Sequence, residues 1–193
     1  MATIETERLL LRAWRFGDRK AFAAINQDPV VMEYFPAPLT CEESDKMVDW
    51  IEAHFRLYGF GLWAAQLRES EEFIGFIGLA VPRFEAAFTP CIEIGWRLAH
   101  RHWGEGLATE GARQAMRYAF EHLGLRSLVS FTVSANLRSR RVMEKLGMTH
   151  DLADDFDHPR VACGHRLRRH MLYRVSSTEW MQRNREAYPV VAP

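Results

Sequence analysis

The chain has 193 residues, 48% apolar and 26% charged, with Lys+Arg and Asp+Glu equal at 25 each. That length supports one substantial core, and the balanced charge excludes a global field for nucleic acid or membranes, so any polyanion must meet a local patch. The opening MATIETERLLLRAWRF has neither the basic start nor the long apolar core of a signal peptide, and no stretch reaches membrane-spanning length. Cys41, Cys91 and Cys163 lack the paired spacing of a zinc or redox motif, which predicts a reduced cytoplasmic compartment.

In chain order, the apolar RLLLRAW (8–14) predicts a strand, and GDRKAFAAINQ predicts a helix stopped at Asp28-Pro29. Two prolines break VVMEYFPAP, after which Thr40 and Glu43 form a capping box opening a helix that stops at Gly59. LWAAQLR (62–68) and FIGFIGLAV (73–81), joined by the polar ESEE, predict an antiparallel hairpin. IEIGWRL (92–98) alternates, with Ile92, Ile94, Trp96 and Leu98 on one face and Glu93, Gly95 and Arg97 on the other.

From Leu107, small and apolar residues at three- and four-residue steps predict a long amphipathic helix running to Gly124. SLVSFTV reads as a strand, ANLRSRRVMEKLGM as a helix closed by Gly147, DLADDFDHPR as a loop and RLRRHMLYRV as a late strand. Ser176 with Glu179 caps a terminal helix. This order predicts a single domain over 1–193, with a core at about 7–175 and a terminal helix at about 176–186. The fold class is α/β (mixed α+β), one mixed sheet with helices on both faces.

The segment HRHWGEGLATEGARQAM (100–116) concentrates backbone freedom and positive charge where a helix begins. Free N–H groups and the positive end of the helix dipole converge there, which suits an anion. No GxxxxGK[ST] occurs, so a P-loop is excluded, and Thr109 stands where a dinucleotide fingerprint needs a third small residue.

RHWGEG, with Arg101, Gly104 and Gly106, resembles the [RQ]xxGx[GA] acyl-CoA loop of the GCN-five-related N-acetyltransferases (GNAT). EIGW precedes it, GLATEG follows it, and ANLRSRRVMEKLGM is similar to the N-x-x-S-x-x-V-x-E-K-x-G signature of the RimJ/RimL-like branch, as are TERLLLR, NQDPVVMEYF and HMLYRV. The resemblance implies a mostly antiparallel sheet and a metal-free acetyltransferase, monomer or homodimer, that moves acetyl from acetyl-CoA to a primary amine on a protein N-terminus or small molecule. It implies no nucleic acid or membrane partner. The alternative is an acyl-CoA-binding sensor without turnover.

Coenzyme A carries a pyrophosphate, which N–H groups of residues 101–107 can cradle while Gly104 and Gly106 admit close approach. The resemblance lays the pantetheine arm along strand 92–98, with a backbone N–H near Trp96, Arg97 or Leu98 polarising the thioester. Contacts are expected from Arg101, His102, Trp103, Gly104, Glu105, Gly106, Leu107 and Ala108, and from Asn136 and Ser139 on the later helix. Glu93 is the candidate base and Ser139 the candidate donor to the departing sulfur. Glu33, Tyr34, Trp63 and Tyr173 are expected to line the acceptor pocket.

Plainer roles compete. A strand glutamate can simply pair with an arginine, Asn136 is a natural N-cap, and His100 and His102 have no further ligands spaced to complete a metal site. Cys91 has no histidine partner and reads as a small filler, and the carboxylates of 151–157 as an exposed acidic loop.

Overall fold

The computed structural model describes residues 2–187; Met1 and 188–193, the ends of the predicted domain, lie outside the described residues. Strands β1 (Ile4–Glu5), β2 (Leu9–Arg12), β3 (Leu62–Leu67), β4 (Phe73–Ala80), β5 (Glu93–Leu98), β6 (Ser127–Val133), β7 (Thr149–His150), β8 (Phe156–Asp157) and β9 (Arg169–Ser176) form one sheet. Its order is β1-β2-β3-β4-β5-β6-β9-β7, with β8 also on β9, and every pairing is antiparallel except β5 with β6. No described helix is long and apolar enough to cross a membrane.

Helices α1 (Asp18–Gln27) and α2 (Cys41–Tyr58) belong to one face of the sheet. The capping box at Thr40 and Glu43 is formed, and Gly59 ends α2 in the left-handed conformation at φ 77°. On that face Phe22 meets Phe76 edge-on at 5.9 Å, and the buried Arg12 on β2 holds the first turn of α1 by a paired hydrogen bond to Asp18 at 2.7 and 2.9 Å. Asp18 also accepts from the Arg15 N–H, and Gln66 Oε1 accepts from Arg12 Nε. The charges are thereby satisfied away from water.

Helix α3 (Leu107–Arg117) presses on the opposite face. A Cβ on Gly111 would lie 2.4 Å from Ile77 Cδ1 and 3.2 Å from Leu9 Cδ1, so the absent side chain lets helix and sheet approach. The expected helix to Gly124 is α-helical only to Arg117; a π turn follows at Tyr118–His122, closed by the Leu123 N–H on the Tyr118 carbonyl. That wider turn coincides with Tyr118 lying edge-on to Trp63 while Ala119 and Phe120 stay buried.

Helix α4 (Leu137–Lys145) shares the face of α3, and α5 (Ser177–Ala187) starts at the predicted Ser176–Glu179 cap. The segment read as a loop contributes the two-residue strand β8, and β7 just precedes it; both are too short to leave a periodic signal.

Asp18→Ala would leave the Arg12 guanidinium buried without its counter-charge. We expect a loss of roughly 3–5 kcal/mol in urea unfolding; a loss under about 1 kcal/mol would show that α1 is held by packing alone.

Candidate active site

The single parallel pairing is also the shortest: β5 and β6 register only at Glu93↔Val129, where the Val129 N–H donates to the Ile92 carbonyl at 2.9 Å. Beyond it the strands part. The alternation that turns the Ile92 carbonyl toward β6 turns the backbone groups of Trp96 and the N–H of Leu98 the same way, into the gap. The Leu98 carbonyl is already taken by Trp103 Nε1 at 2.9 Å. The gap therefore offers an extended ligand the edge of a strand.

At one end of the gap stands the glycine loop. Gly104 and Gly106 both adopt φ 84°, which side chains rarely tolerate, and a Cβ on Gly104 would meet no protein atom within 4 Å. Gly106 is the N-cap of α3 and supplies no side chain to its first-turn N–H groups. A free helix N-terminus behind an uncrowded backbone fits a pyrophosphate. Leu107 is buried and Ala108 half-buried at the start of the helix.

The loop is braced from behind. Glu110 accepts from Thr6 Oγ1 at 2.6 Å, the Arg8 N–H at 2.8 Å and Arg8 Nε at 2.7 Å, and Arg8 Nη1 donates to the Glu105 carbonyl at 3.0 Å. Desolvation opposes ionisation of Glu110, yet these bonds hold its carboxyl below the ordinary value. The sequence reading missed this clamp because its halves lie about a hundred residues apart.

Three expected contacts have their side chains engaged elsewhere. Arg101 and His102 both turn to Glu72, just before β4, which leaves their backbone groups for a ligand in the gap. The Arg97 side chain points to the α1–α2 face, where Nη1 donates to Asn26 Oδ1 at 2.6 Å and the guanidinium lies 4.2 Å from the centre of the Phe35 ring. Burial pushes its pKa down to about 10, and its Nε has no hydrogen-bond partner among the described residues.

Asn136 caps α4 through Oδ1 on the Ser139 N–H at 3.2 Å and donates Nδ2 to Thr132 Oγ1 at 3.0 Å. The cap leaves the Ser139 hydroxyl, half-buried in the first turn of α4, with no partner among the described residues. Arg138, one residue earlier, lies 5.0 Å from the centre of the Trp103 ring and so bridges α4 to the glycine loop.

Glu93 sits where the strands part. Its register with Ala80, and that of Gly95 with Gly78 and Arg97 with Phe76, places it on the α1–α2 face. Burial alone pushes its carboxyl up to about 8, and among the described residues no arginine or other partner engages it. A Cβ on Gly95 would touch only Glu93 Oε1, at 3.8 Å, so the floor beside the carboxyl is clear. Burial and the Glu93 charge push the neighbouring Cys91 thiol up to about 11, which keeps it protonated and a poor nucleophile.

Of the residues expected at an acceptor pocket, Tyr34 packs with Val133, Val161 and Leu167, and the Glu33 carbonyl accepts from Arg166, so both lie in a loop over the Glu93 face. Trp63 and Tyr173 do not. Trp63 is fully buried between Tyr118 after α3 and Phe55 near the end of α2, at 5.5 and 5.4 Å between ring centres, with Nε1 donating to the Ala2 carbonyl. Tyr173 is 3% exposed on the α4 face, its hydroxyl donating to Glu144 at 3.3 Å and accepting from Arg140 Nε. Neither side chain presents surface to a ligand on the Glu93 face. The residues missed there are Phe131 on β6 and the rings packed around it; alternation in SLVSFTV sets Phe131 beside Val129, but only the β5–β6 register shows that this is the face of Glu93.

The chain matches the model of the acetyltransferase (GNAT) domain over residues 8–149. It is similar to the FsC-acetyl coenzyme A-N(2)-transacetylase of Aspergillus fumigatus, 36% identical over 155 residues, 77% of this chain and 65% of the fungal protein. The chain thus spans just under two thirds of that relative's length. A crystal structure of an acetyltransferase from Agrobacterium tumefaciens superposes with a TM-score of 0.73 at 28% identity, covering 91% of this chain and 94% of that one. RimJ of Mycobacterium smegmatis, in complex with CoA-disulfide, shares the fold with a TM-score of 0.70 at 16% identity, covering 95% of each chain.

Gly104→Val would place a branched side chain at positive φ on the open side of the loop. Acetyl-CoA affinity is expected to fall at least about tenfold by calorimetry in a variant whose circular dichroism is that of the wild type; unchanged affinity would move the pyrophosphate elsewhere.

Proposed function

The chain belongs to the acetyltransferase (GNAT) family, and we propose that the gap between β5 and β6 is where it joins acetyl-CoA to a primary amine, on a protein N-terminus or a small molecule. The observation that carries this reading is Glu93, an unpartnered and largely desolvated carboxyl at the point where the strands separate, on the face opposite α3 and α4. The motif ANLRSRRVMEKLGM and the fold likeness to RimJ support the RimJ/RimL-like branch, and the unpaired cysteines support a reduced, cytoplasmic setting.

In this reading the pyrophosphate rests on the N-terminus of α3 and the pantetheine amides add to the free edge of β5. The amine attacks the thioester carbonyl, a C–N bond forms, and the oxyanion accepts from the Trp96 N–H. The C–S bond then breaks, and the Ser139 hydroxyl meets the departing thiolate. No covalent acyl-enzyme is needed, in keeping with the raised Cys91 thiol.

Glu93 handles the proton. An ordinary carboxylate lies roughly 6 pKa units below an alkylammonium, whereas one near 8 lies roughly 2 below it, so the transfer costs far less. Only the ionised form can act as base. The wild-type kcat/KM is therefore expected to rise with pH through about 8, and Glu93→Gln to lose most turnover and that limb while keeping acetyl-CoA affinity.

Stability carries the same signature with a definite sign. Between 4.5 and about 8 the folded chain keeps a proton that the unfolded chain gives up, so this carboxyl lowers stability as pH rises through that window. Glu93→Gln cannot ionise and is expected to melt higher than wild type above about pH 8, with the difference vanishing below 4.5. A coenzyme A thiol-release assay across peptide and small-amine panels tests the reaction itself: tight acetyl-CoA binding without thiol release on any amine would favour a sensor.

A further inference from the structure

The largest aromatic grouping outside the main core lies on the face of Glu93. Phe84 and Phe88 come from the β4–β5 connection, Phe131 from β6, Phe156 from β8, His158 from the residue after it and His170 from β9. Phe131 is the hub: its ring centre is 5.7 Å from Phe84, 5.5 Å from Phe156, 6.2 Å from Phe88 and 6.0 Å from His170. His158 and His170 lie 5.0 Å apart. All six are half-buried, so the rings pack on one another and still present surface. Such a contiguous apolar surface is what binding sites, rather than ordinary protein exteriors, display.

Register ties this surface to the gap. Val129 is the β6 residue opposite Glu93, and Phe131, two residues on, shares its face just where β5 has moved away. Phe88 reaches back to the base of the gap, where Arg174, in register with Val129, lies 5.9 Å from its ring centre. At the upper end, Val133 packs with Tyr34. The rings thus flank Glu93 and Gly95 on one side, and Phe35 over Arg97 lies on the other.

Three of the carboxylates around the wall are already engaged. Asp154 binds Arg174, Asp155 binds His150, and Asp157 binds Arg168. Burial, reinforced by His170 and Arg160, pushes His158 down to about 4, so it stays uncharged at neutral pH. A ligand with several cationic groups would find few free carboxylates beside the rings. A ligand with one amino group would place its nitrogen at Glu93 and its body on the wall.

We infer that the acceptor is a primary amine carried on an aromatic body, with Phe131 and Phe156 as the specificity-determining side chains. The inference rests on the reading of Glu93 as the amine-side base, and binding and turnover are therefore measured separately. The probes are 2-phenylethylamine, n-hexylamine and spermidine, with the full chain saturated with coenzyme A for binding by calorimetry or with acetyl-CoA for turnover. The expected result is saturable binding of 2-phenylethylamine, with at least tenfold higher affinity and kcat/KM than for spermidine and a smaller advantage over n-hexylamine.

Phe131→Ala is expected to weaken 2-phenylethylamine at least tenfold with coenzyme A affinity unchanged. Phe131→Leu, which keeps apolar volume and protects the fold, is expected to erase the advantage over n-hexylamine alone. No saturable binding of 2-phenylethylamine to wild type, a preference for spermidine, or indifference to both Phe131 variants would overturn the inference. Binding that depends on Phe131 without any acetylation would uphold the aromatic site and refute acetyl transfer to it.

Discussion

The structure turns on one short parallel pairing. Parallel strands need a crossover, and here α3 supplies it, bringing its own N-terminus to the end of β5. With β5 and β6 joined only at Glu93↔Val129, the sheet remains continuous at its base and opens above it. A fully paired β5 would satisfy the backbone of Trp96 within the protein and leave no edge for a ligand. The opening is the consequence of stopping that ladder early.

The two faces of the opening are chemically unlike. One end carries backbone N–H groups at the start of α3, braced by Glu110 and Arg8, and suits an anion. The opposite face carries a carboxyl with no arginine to neutralise it, although arginines are plentiful: Arg12 is matched to Asp18, Arg101 to Glu72 and Arg174 to Asp154. Arg97 is on the Glu93 face yet is drawn off to Asn26 and Phe35, two positions beyond a glycine that keeps the floor clear. Burial raises the Glu93 pKa, and no arginine among the described residues brings it back down.

Local chemistry was legible in the sequence where it is self-contained. The Thr40 capping box, the hairpin of β3 and β4, the positive-φ glycines of the loop and the Asn136 cap each depend on residues a few positions apart. The alternation in IEIGWRL correctly put Glu93 and Arg97 together on one face. What alternation leaves open is which helices cover that face and how deeply, and both Trp63 and Tyr173 prove to be buried packing residues. The aromatic wall around Phe131 and the clamp of Thr6, Arg8 and Glu110 both join distant segments through sheet register, which no local pattern encodes. The π turn after Arg117 was hidden for a related reason, since its Tyr118 contact is made with β3.

In this arrangement acetyl-CoA would occupy the gap as an added strand, from the glycine loop to the point where β5 and β6 separate. Amide hydrogen exchange followed by NMR reads this residue by residue. Acetyl-CoA is expected to slow exchange at the N–H of Trp96 and at those of Gly104, Gly106 and Leu107 together, while the interior of β3 is unchanged. Protection of the loop without Trp96, or of neither, would contradict it.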